Sequence, residues 1–176
     1  MTAATLERRQ ATELRTTGRR LEGYAATFNS EARIGSFVET ILPGAFRSAV
    51  AGDVLALLDH DTGKVLGRTR SGTLRLSEDT RGLAFSLDLP ETAAGRDVLA
   101  LAERGDLGGM SFGFNVPKGG ESWSGERRTL RTVGLKEISI VSAWPAYAGT
   151  EIALRSRLDT HGRRRRLIMA EMGAWG

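Results

Sequence analysis

The sequence has two histidines, His60 and His161, and the second lies in an arginine-rich stretch near the C-terminus. Imidazole is the side chain that most readily accepts and returns a proton near neutral pH. His60 is therefore the candidate general base if the chain is an enzyme. Because Asp59 and Asp61 flank it, His60 equally fits a surface turn without a catalytic role, and the tripeptide leaves both interpretations open.

Ser111 is a candidate nucleophile because of its neighbours, the stretch LGGMSFGF at residues 107–114. Small residues beside a serine let a substrate backbone approach closely, which both a nucleophile and an oxyanion site require. The same pattern fits a tight glycine turn that leads into a strand, with serine as a small filler and glycine at a bulge. The residues alone do not choose between these alternatives.

Glu137 is an acid inside the apolar run LKEISIV at residues 135–141. Strand alternation places it on one face with Leu135, Ser139 and Val141. A buried carboxylate on that face needs a partner. One of the many arginines would satisfy it, and so would a histidine that it orients; both alternatives stay open.

Several other chemistries lack their signatures in this sequence. There is no cysteine, which excludes disulfides, a thiolate nucleophile and a thiolate metal site and fits a reducing compartment. With one usable histidine and no HExxH, no zinc set is recognisable. Neither nucleotide-binding glycine motif occurs, and there is no GxSxG elbow. We therefore expect no metal and no cofactor.

The elements that must position these side chains are mostly strands. The strand predicted at 54–58 delivers His60 to its end, and the clearest helix begins after Thr92 and stops at Gly105. A second short helical stretch is predicted near 45–50, and a polar loop at 119–125. The predicted fold is α+β, mainly β: a single domain with a curved antiparallel sheet or barrel of about seven strands and surrounding helices. The other predicted strands are 21–28, 37–42, 73–76, 83–89, 127–133 and 135–141.

The basic character of the chain, with a pI of about 10.1, comes from its two ends. Residues 1–20 carry five arginines and two glutamates, and residues 151–176 carry six arginines and three acids. Because the whole chain has a net charge of +4, residues 21–150 sum to −2. A nucleic-acid module concentrates positive charge on its folded face. We therefore expect no sequence-specific nucleic-acid binding.

No apolar run is long enough to span a bilayer, so we expect no membrane partner either.

Taken together, these segments resemble the prohead serine protease family of tailed bacteriophages, which is related in fold to the herpesvirus assemblins. The resemblance runs from about residue 21 to residue 154. It suggests a protease domain at 21–154, between a flexible basic segment at 1–20 and a flexible arginine-rich tail at 155–176. The stretches that carry it are GYA at 23–25, FVE at 37–39, PGAF at 43–46, LDHD at 58–61, LGR at 66–68, GTL at 72–74, GRD at 95–97, GGMSFGF at 108–114, LKEISIVS at 135–142 and PA at 145–146.

The resemblance implies a barrel-like β core and a catalytic His60, Ser111 and Glu137, with Glu137 as the orienting acid. It also suggests that the oxyanion is held by backbone N–H groups in the turn after the strand of Glu137, at Ala143 and Trp144. The implied activity is a serine endopeptidase that cleaves the scaffolding segment of the major capsid protein, any separate scaffold, and itself. It would act inside the assembling procapsid in the host cytoplasm, and self-association is a further expectation.

Two rival functions belong to other classes. One is a non-catalytic capsid-assembly or scaffold-associated protein of the same fold, which the joint presence of Ser111, His60 and Glu137 argues against. The other is a basic protein that binds nucleic acid through its arginine-rich ends.

Overall fold

A computed structural model of the chain describes residues 7–11 and 13–143. This part of the chain is mainly β, with one α-helix. The strands are β1 Glu7–Ala11, β2 Glu13–Thr17, β3 Arg20–Thr27, β4 Glu31–Ile34, β5 Phe37–Ile41, β6 Leu55–Leu58, β7 Asp61–Arg68, β8 Leu74–Glu78, β9 Gly82–Asp88, β10 Gly109–Asn115, β11 Glu121–Ser124, β12 Arg127–Leu130 and β13 Gly134–Val141; the helix is α1 Ala93–Arg104.

The predicted single sheet or barrel of about seven strands is wrong: the thirteen described strands form three sheets and no closed barrel. The first has the order β1-β10-β13-β6-β7, the second β11-β12-β5-β4 and the third β2-β3-β9-β8. The expected antiparallel pairing is present in eight of the ten described strand pairs, whereas β13 pairs with β6 and β12 pairs with β5 in parallel. Parallel neighbours require a long connection, and here residues 59–133 lie between β6 and β13 and residues 42–126 lie between β5 and β12.

Strand β10 is buried on both faces, and its alternation separates the core from a polar face. Met110, Phe112 and Phe114 belong to the apolar core, whereas Ser111 and Gly113 point the other way. The Phe112 ring stacks on Phe114 at 5.3 Å between centroids and meets Phe46 edge-on at 5.6 Å. Aromatic packing on one face therefore holds β10 in place, while Ser111 and Gly113 occupy the opposite face.

Several predicted elements agree with the structure. Helix α1 is capped by the Thr92 side chain, which accepts a hydrogen bond from Gly95 N at 3.2 Å, and Gly105 ends it in the left-handed conformation. The hairpin of β8 and β9 and the strands β3, β5, β6 and β13 lie within about two residues of the predicted positions, and β12 starts as predicted but ends three residues earlier, at Leu130.

Other elements correct the prediction. Residues 45–50 form consecutive turns instead of a helix, and the polar loop at 119–125 contains β11. Within the segment expected to be flexible at 1–20, β1 pairs with β10 and β2 pairs with β3. A short charged edge strand is stabilised by its hydrogen bonds to the neighbouring strand. The composition of the segment itself does not reveal that neighbour. The expected tail at 155–176 lies outside the described residues.

None of the helices in the described part of the chain combines the length and the apolar character needed to cross a lipid bilayer.

The turns at 43–51 are fixed by a carboxylate from another sheet. Glu78, at the end of β8, accepts the backbone N–H of Gly44 at 2.8 Å and that of Phe46 at 2.9 Å, one on each oxygen. Phe46 itself is fully buried. The Glu78 carboxylate therefore anchors the loop that inserts Phe46 beneath β10.

We expect Glu78→Gln to lower the free energy of unfolding by about 1 to 3 kcal/mol, because an amide can accept only one of the two N–H groups. Urea unfolding measures the change. Glu126→Gln is the matched control, since Glu126 is exposed in the turn between β11 and β12. Equal unfolding free energies for the two variants would contradict the role given to Glu78.

Candidate functional site

His60 lies in a two-residue turn between β6 and β7. Leu58 pairs with Asp61, and the two residues between them, Asp59 and His60, have positive φ angles of 51° and 60°. This is the backbone of the tightest β-hairpin turn, which non-glycine residues adopt rarely. The prediction that His60 lies at a strand end is refined here: it stands at the tip of a strained turn.

The turn is attached to the end of β13 by Asp59. The Asp59 carboxylate accepts the backbone N–H of Ser142 at 2.8 Å and the Ser142 hydroxyl at 2.5 Å, while Asp59 N donates to Ile140 O at 2.9 Å. Backbone strain persists only where the surroundings fix it. These three contacts hold the imidazole of His60 over β13.

Glu137 and His60 meet in the structure. His60 Nδ1 lies 2.8 Å from Glu137 Oε1, and the two side chains are 13% and 6% exposed. An ionised carboxylate can only accept, so a neutral imidazole beside it carries its proton on Nδ1 and its lone pair on Nε2. Of the two partners that the sequence left open for Glu137, the histidine contact is present.

Gly113 makes the space that Glu137 occupies. It is the cross-strand partner of Glu137 on β10. A Cβ at position 113 would lie 3.0 Å from both Cγ and Cδ of Glu137, and closer still to Oε1. Only a glycine there lets the carboxylate lie flat against β10.

Ser111 lies on β10 two residues before Gly113, on the same face. Its cross-strand partner is Ser139 of β13, and Ser139 Oγ donates to the second oxygen of Glu137. Directly opposed residues have Cβ atoms about 4.5 to 5.5 Å apart. The register therefore brings Ser111, Ser139, Glu137 and His60 to one side of the first sheet.

Two atoms of this group have no hydrogen-bond partner. Among the described side chains, Ser111 Oγ and His60 Nε2 are the buried polar atoms left unpaired. Most buried polar atoms in proteins are hydrogen-bonded, and a catalytic role is one established reason for an exception. The two unpaired atoms are a hydroxyl that can lose a proton and an imidazole nitrogen that can take one.

The acids that flank His60 point elsewhere. Asp59 binds Ser142, as described above, whereas Asp61 accepts the N–H of Gly63 at 2.8 Å and lies 3.4 Å from Lys64 Nζ. The tight turn directs both carboxylates away from the imidazole of His60. Ala143 is the last described residue and is exposed; Trp144 and His161 lie outside the described residues.

The sequence analysis assigned no role in the site to Ser139, to Gly113 or to the contact between Asp59 and Ser142. The position of Ser139, two residues from Glu137 on the same strand face, could have indicated its contact with the carboxylate. No trio of potential metal-ligating His, Asp or Glu side chains comes together among the residues that the structure describes.

Comparison with known proteins identifies what this arrangement resembles. The sequence model of the family described as Caudovirus prohead serine protease matches residues 4–164. The prohead protease of Enterobacteria phage HK97 is 33% identical over 144 residues, which cover 78% of this chain and 60% of that protein. The chain thus spans about 60% of the length of this relative. No solved structure matches the chain significantly.

We expect Gly113→Ala to push the Glu137 carboxylate away from His60, because β10 is packed on both faces and cannot retreat. The measurement is the proton NMR signal of the His60 Nδ1–H, which hydrogen bonding to a carboxylate moves far downfield and which His60→Gln removes. The signal should disappear or shift upfield in Gly113→Ala.

The matched control is Gly63→Ala on β7, where the new methyl would meet only the flexible Asp61 carboxylate at 3.1 Å. This control should leave the signal in place. An unchanged signal in Gly113→Ala would mean that Glu137 does not need the space beside Gly113.

Proposed function

Since the chain belongs to the caudovirus prohead serine protease family, we propose that it is a serine endopeptidase of the Ser-His-Glu type that matures a viral procapsid. The observation that carries the proposal is the pairing of a buried His60–Glu137 contact with two unpaired buried atoms, His60 Nε2 and Ser111 Oγ. A non-catalytic protein of this fold would not need a base, a nucleophile and an orienting acid together.

The proposed reaction is acyl transfer through a covalent intermediate. His60 Nε2 takes the Ser111 proton as Ser111 Oγ attacks the scissile carbonyl, and the imidazolium then protonates the leaving amine. Water, deprotonated in turn by His60, releases the acyl group and restores Ser111. Glu137 keeps the proton on Nδ1 and stabilises the imidazolium by a charge-assisted hydrogen bond in a site largely closed to solvent.

Substrate binding has to bring base and nucleophile into contact. Catalytic hydrogen bonds tighten when the substrate complex forms. Because Glu137 holds the imidazole of His60, we propose that the Ser111 side chain rotates to bring Oγ to Nε2 when substrate binds.

The oxyanion donors that we propose are the N–H groups of Ala143 and Trp144. Support comes from Ser142, whose N–H and hydroxyl bind Asp59 beside His60. Ser142 therefore lies next to the turn of His60, and Ala143 and Trp144 follow it directly in the sequence. A preorganised N–H donor contributes about 3 to 4 kcal/mol to transition-state binding in other serine proteases.

The substrates that we propose are the scaffolding segment of the major capsid protein, any separate scaffold, and the protease itself. The family description and the phage relative named as a prohead protease support this choice. The enzyme would act inside the assembling procapsid in the host cytoplasm, and self-association and a fold relation to herpesvirus assemblins remain part of the proposal. So does a protease domain that ends near residue 154.

Ser111→Ala and His60→Ala should each reduce cleavage of the capsid protein by about 10⁴-fold or more, with no further loss in the double variant, since the two residues act as one unit. The chain is co-expressed with its capsid protein, and the mass of the capsid protein is read by mass spectrometry. Ser77→Ala, an exposed change on β8, is the control. Processing that continues in Ser111→Ala would end the proposal.

Glu137→Gln should preserve the fold and cut turnover on the order of 10⁴-fold, because an amide neither enforces the Nδ1–H tautomer nor stabilises imidazolium. Asp61→Asn should behave like wild type, since Asp61 faces solvent. Asp59→Asn should cost about tenfold or less, because asparagine tolerates positive φ and still accepts the Ser142 N–H.

Cleavage rates of the three variants provide the comparison. Near-normal turnover in Glu137→Gln together with a large loss in either aspartate variant would reassign the orienting acid.

A further inference from the structure

Ser139 is the one polar side chain on β13, besides Glu137, that is completely buried. It is 0% exposed, and its hydroxyl donates to Glu137 Oε2. Its position follows from strand alternation, which puts residues 137 and 139 on one face. Its cross-strand partner on β10 is Ser111. Ser139 therefore lies directly opposite the proposed nucleophile and two residues from Glu137 on the same strand.

The Glu137 carboxylate needs a second donor for a physical reason. Its terminal torsion is broad, so the group rotates readily unless something fixes its plane. His60 Nδ1 contacts Oε1 of the carboxylate. A single contact leaves the carboxylate free to pivot about that bond, whereas a second donor on the other oxygen sets the plane in which the imidazole must lie.

Burial makes the second donor more important. Water reaches little of Glu137, which is 4% exposed as a residue. A hydrogen bond to the ionised form stabilises the charge in such surroundings, and its loss leaves a buried oxygen with less compensation. Ser139 reaches that oxygen from the same strand, so no movement between elements is needed to form the contact.

We propose that Ser139 is a positioning residue for the acyl-transfer reaction, which acts by fixing the plane and the ionised state of the Glu137 carboxylate. The proposal rests on the proposed function, because a Ser139 effect on turnover requires that His60 and Ser111 perform the chemistry. Ser139 does not exchange a proton with substrate; its influence passes through Glu137 to the imidazole.

The kinetic experiment compares Ser139→Ala with Ile138→Val in the full-length protease on a peptide spanning the capsid cleavage site. Ile138 is the adjacent residue on the opposite, core-facing side of β13 and is equally buried, so its variant removes a similar volume without touching Glu137. Ser139→Ala should lower kcat by about tenfold to hundredfold, the loss expected of a hydrogen bond to a charged group, with KM unchanged. Ser139→Cys, a weaker donor, should fall between alanine and wild type.

A double-mutant cycle with Glu137→Gln separates positioning from packing. If Ser139 acts through the carboxylate, Ser139→Ala should cost less than about threefold in the Glu137→Gln background. A packing effect would lower activity or stability equally in both backgrounds. An additive loss, or a loss in Ile138→Val as large as that in Ser139→Ala, would overturn the proposal.

An NMR measurement keeps the inference separate from activity. In the Ser111→Ala background, where no turnover is expected, Ser139→Ala should shift or broaden the downfield Nδ1–H signal of His60, and Ile138→Val should leave it unchanged. An unaffected signal in Ser139→Ala refutes the role of Ser139 even if Ser111→Ala abolishes cleavage. Conversely, persistent cleavage in Ser111→Ala refutes the proposed function, whatever the NMR signal shows.

Discussion

The burial of one carboxylate governs the arrangement of this site. Glu137 is buried in a central strand between Leu135 and Ile138 of the core, where an uncompensated charge would be costly. Three features accommodate the carboxylate: the imidazole of His60 contacts one oxygen, the hydroxyl of Ser139 donates to the other, and Gly113 leaves space for it on β10. Each comes from a defined point in the first sheet, so the sheet register determines whether the carboxylate is satisfied.

The rest of the fold keeps that register from changing. Strand β10 is fastened on its core side by Phe112 and Phe114, and Phe46 packs against Phe112 from a loop that Glu78 holds. A slip of one residue along β10 would exchange the two faces, bringing phenylalanine to the site and serine to the core. Aromatic packing thus protects a polar geometry that lies on the opposite side of the strand.

Much of this could be predicted from the sequence, and the limits have physical causes. Local patterns gave helix α1 with both caps and the β8–β9 hairpin, because these depend on neighbouring residues. The sequence also identified Ser111, His60 and Glu137 as candidates by their residue types. Only the three-dimensional structure shows that Glu137 contacts His60. The parallel pairing of β13 with β6 and the strands within residues 1–20 depend on distant partners, which local composition does not encode.

The first sheet draws its strands from almost the whole described chain, since β1 begins at Glu7 and β13 ends at Val141. Gln10 is paired with Ser111 across about a hundred residues. Such distant pairings place the domain among proteins of high contact order, whose folding is limited by the closure of long loops. On the ribosome, β10 and β13 emerge long after β1 and β6, so Ser111, His60 and Glu137 come together only when β13 has been synthesised. Chain synthesis itself therefore delays the assembly of this group of residues until the last described strand is made.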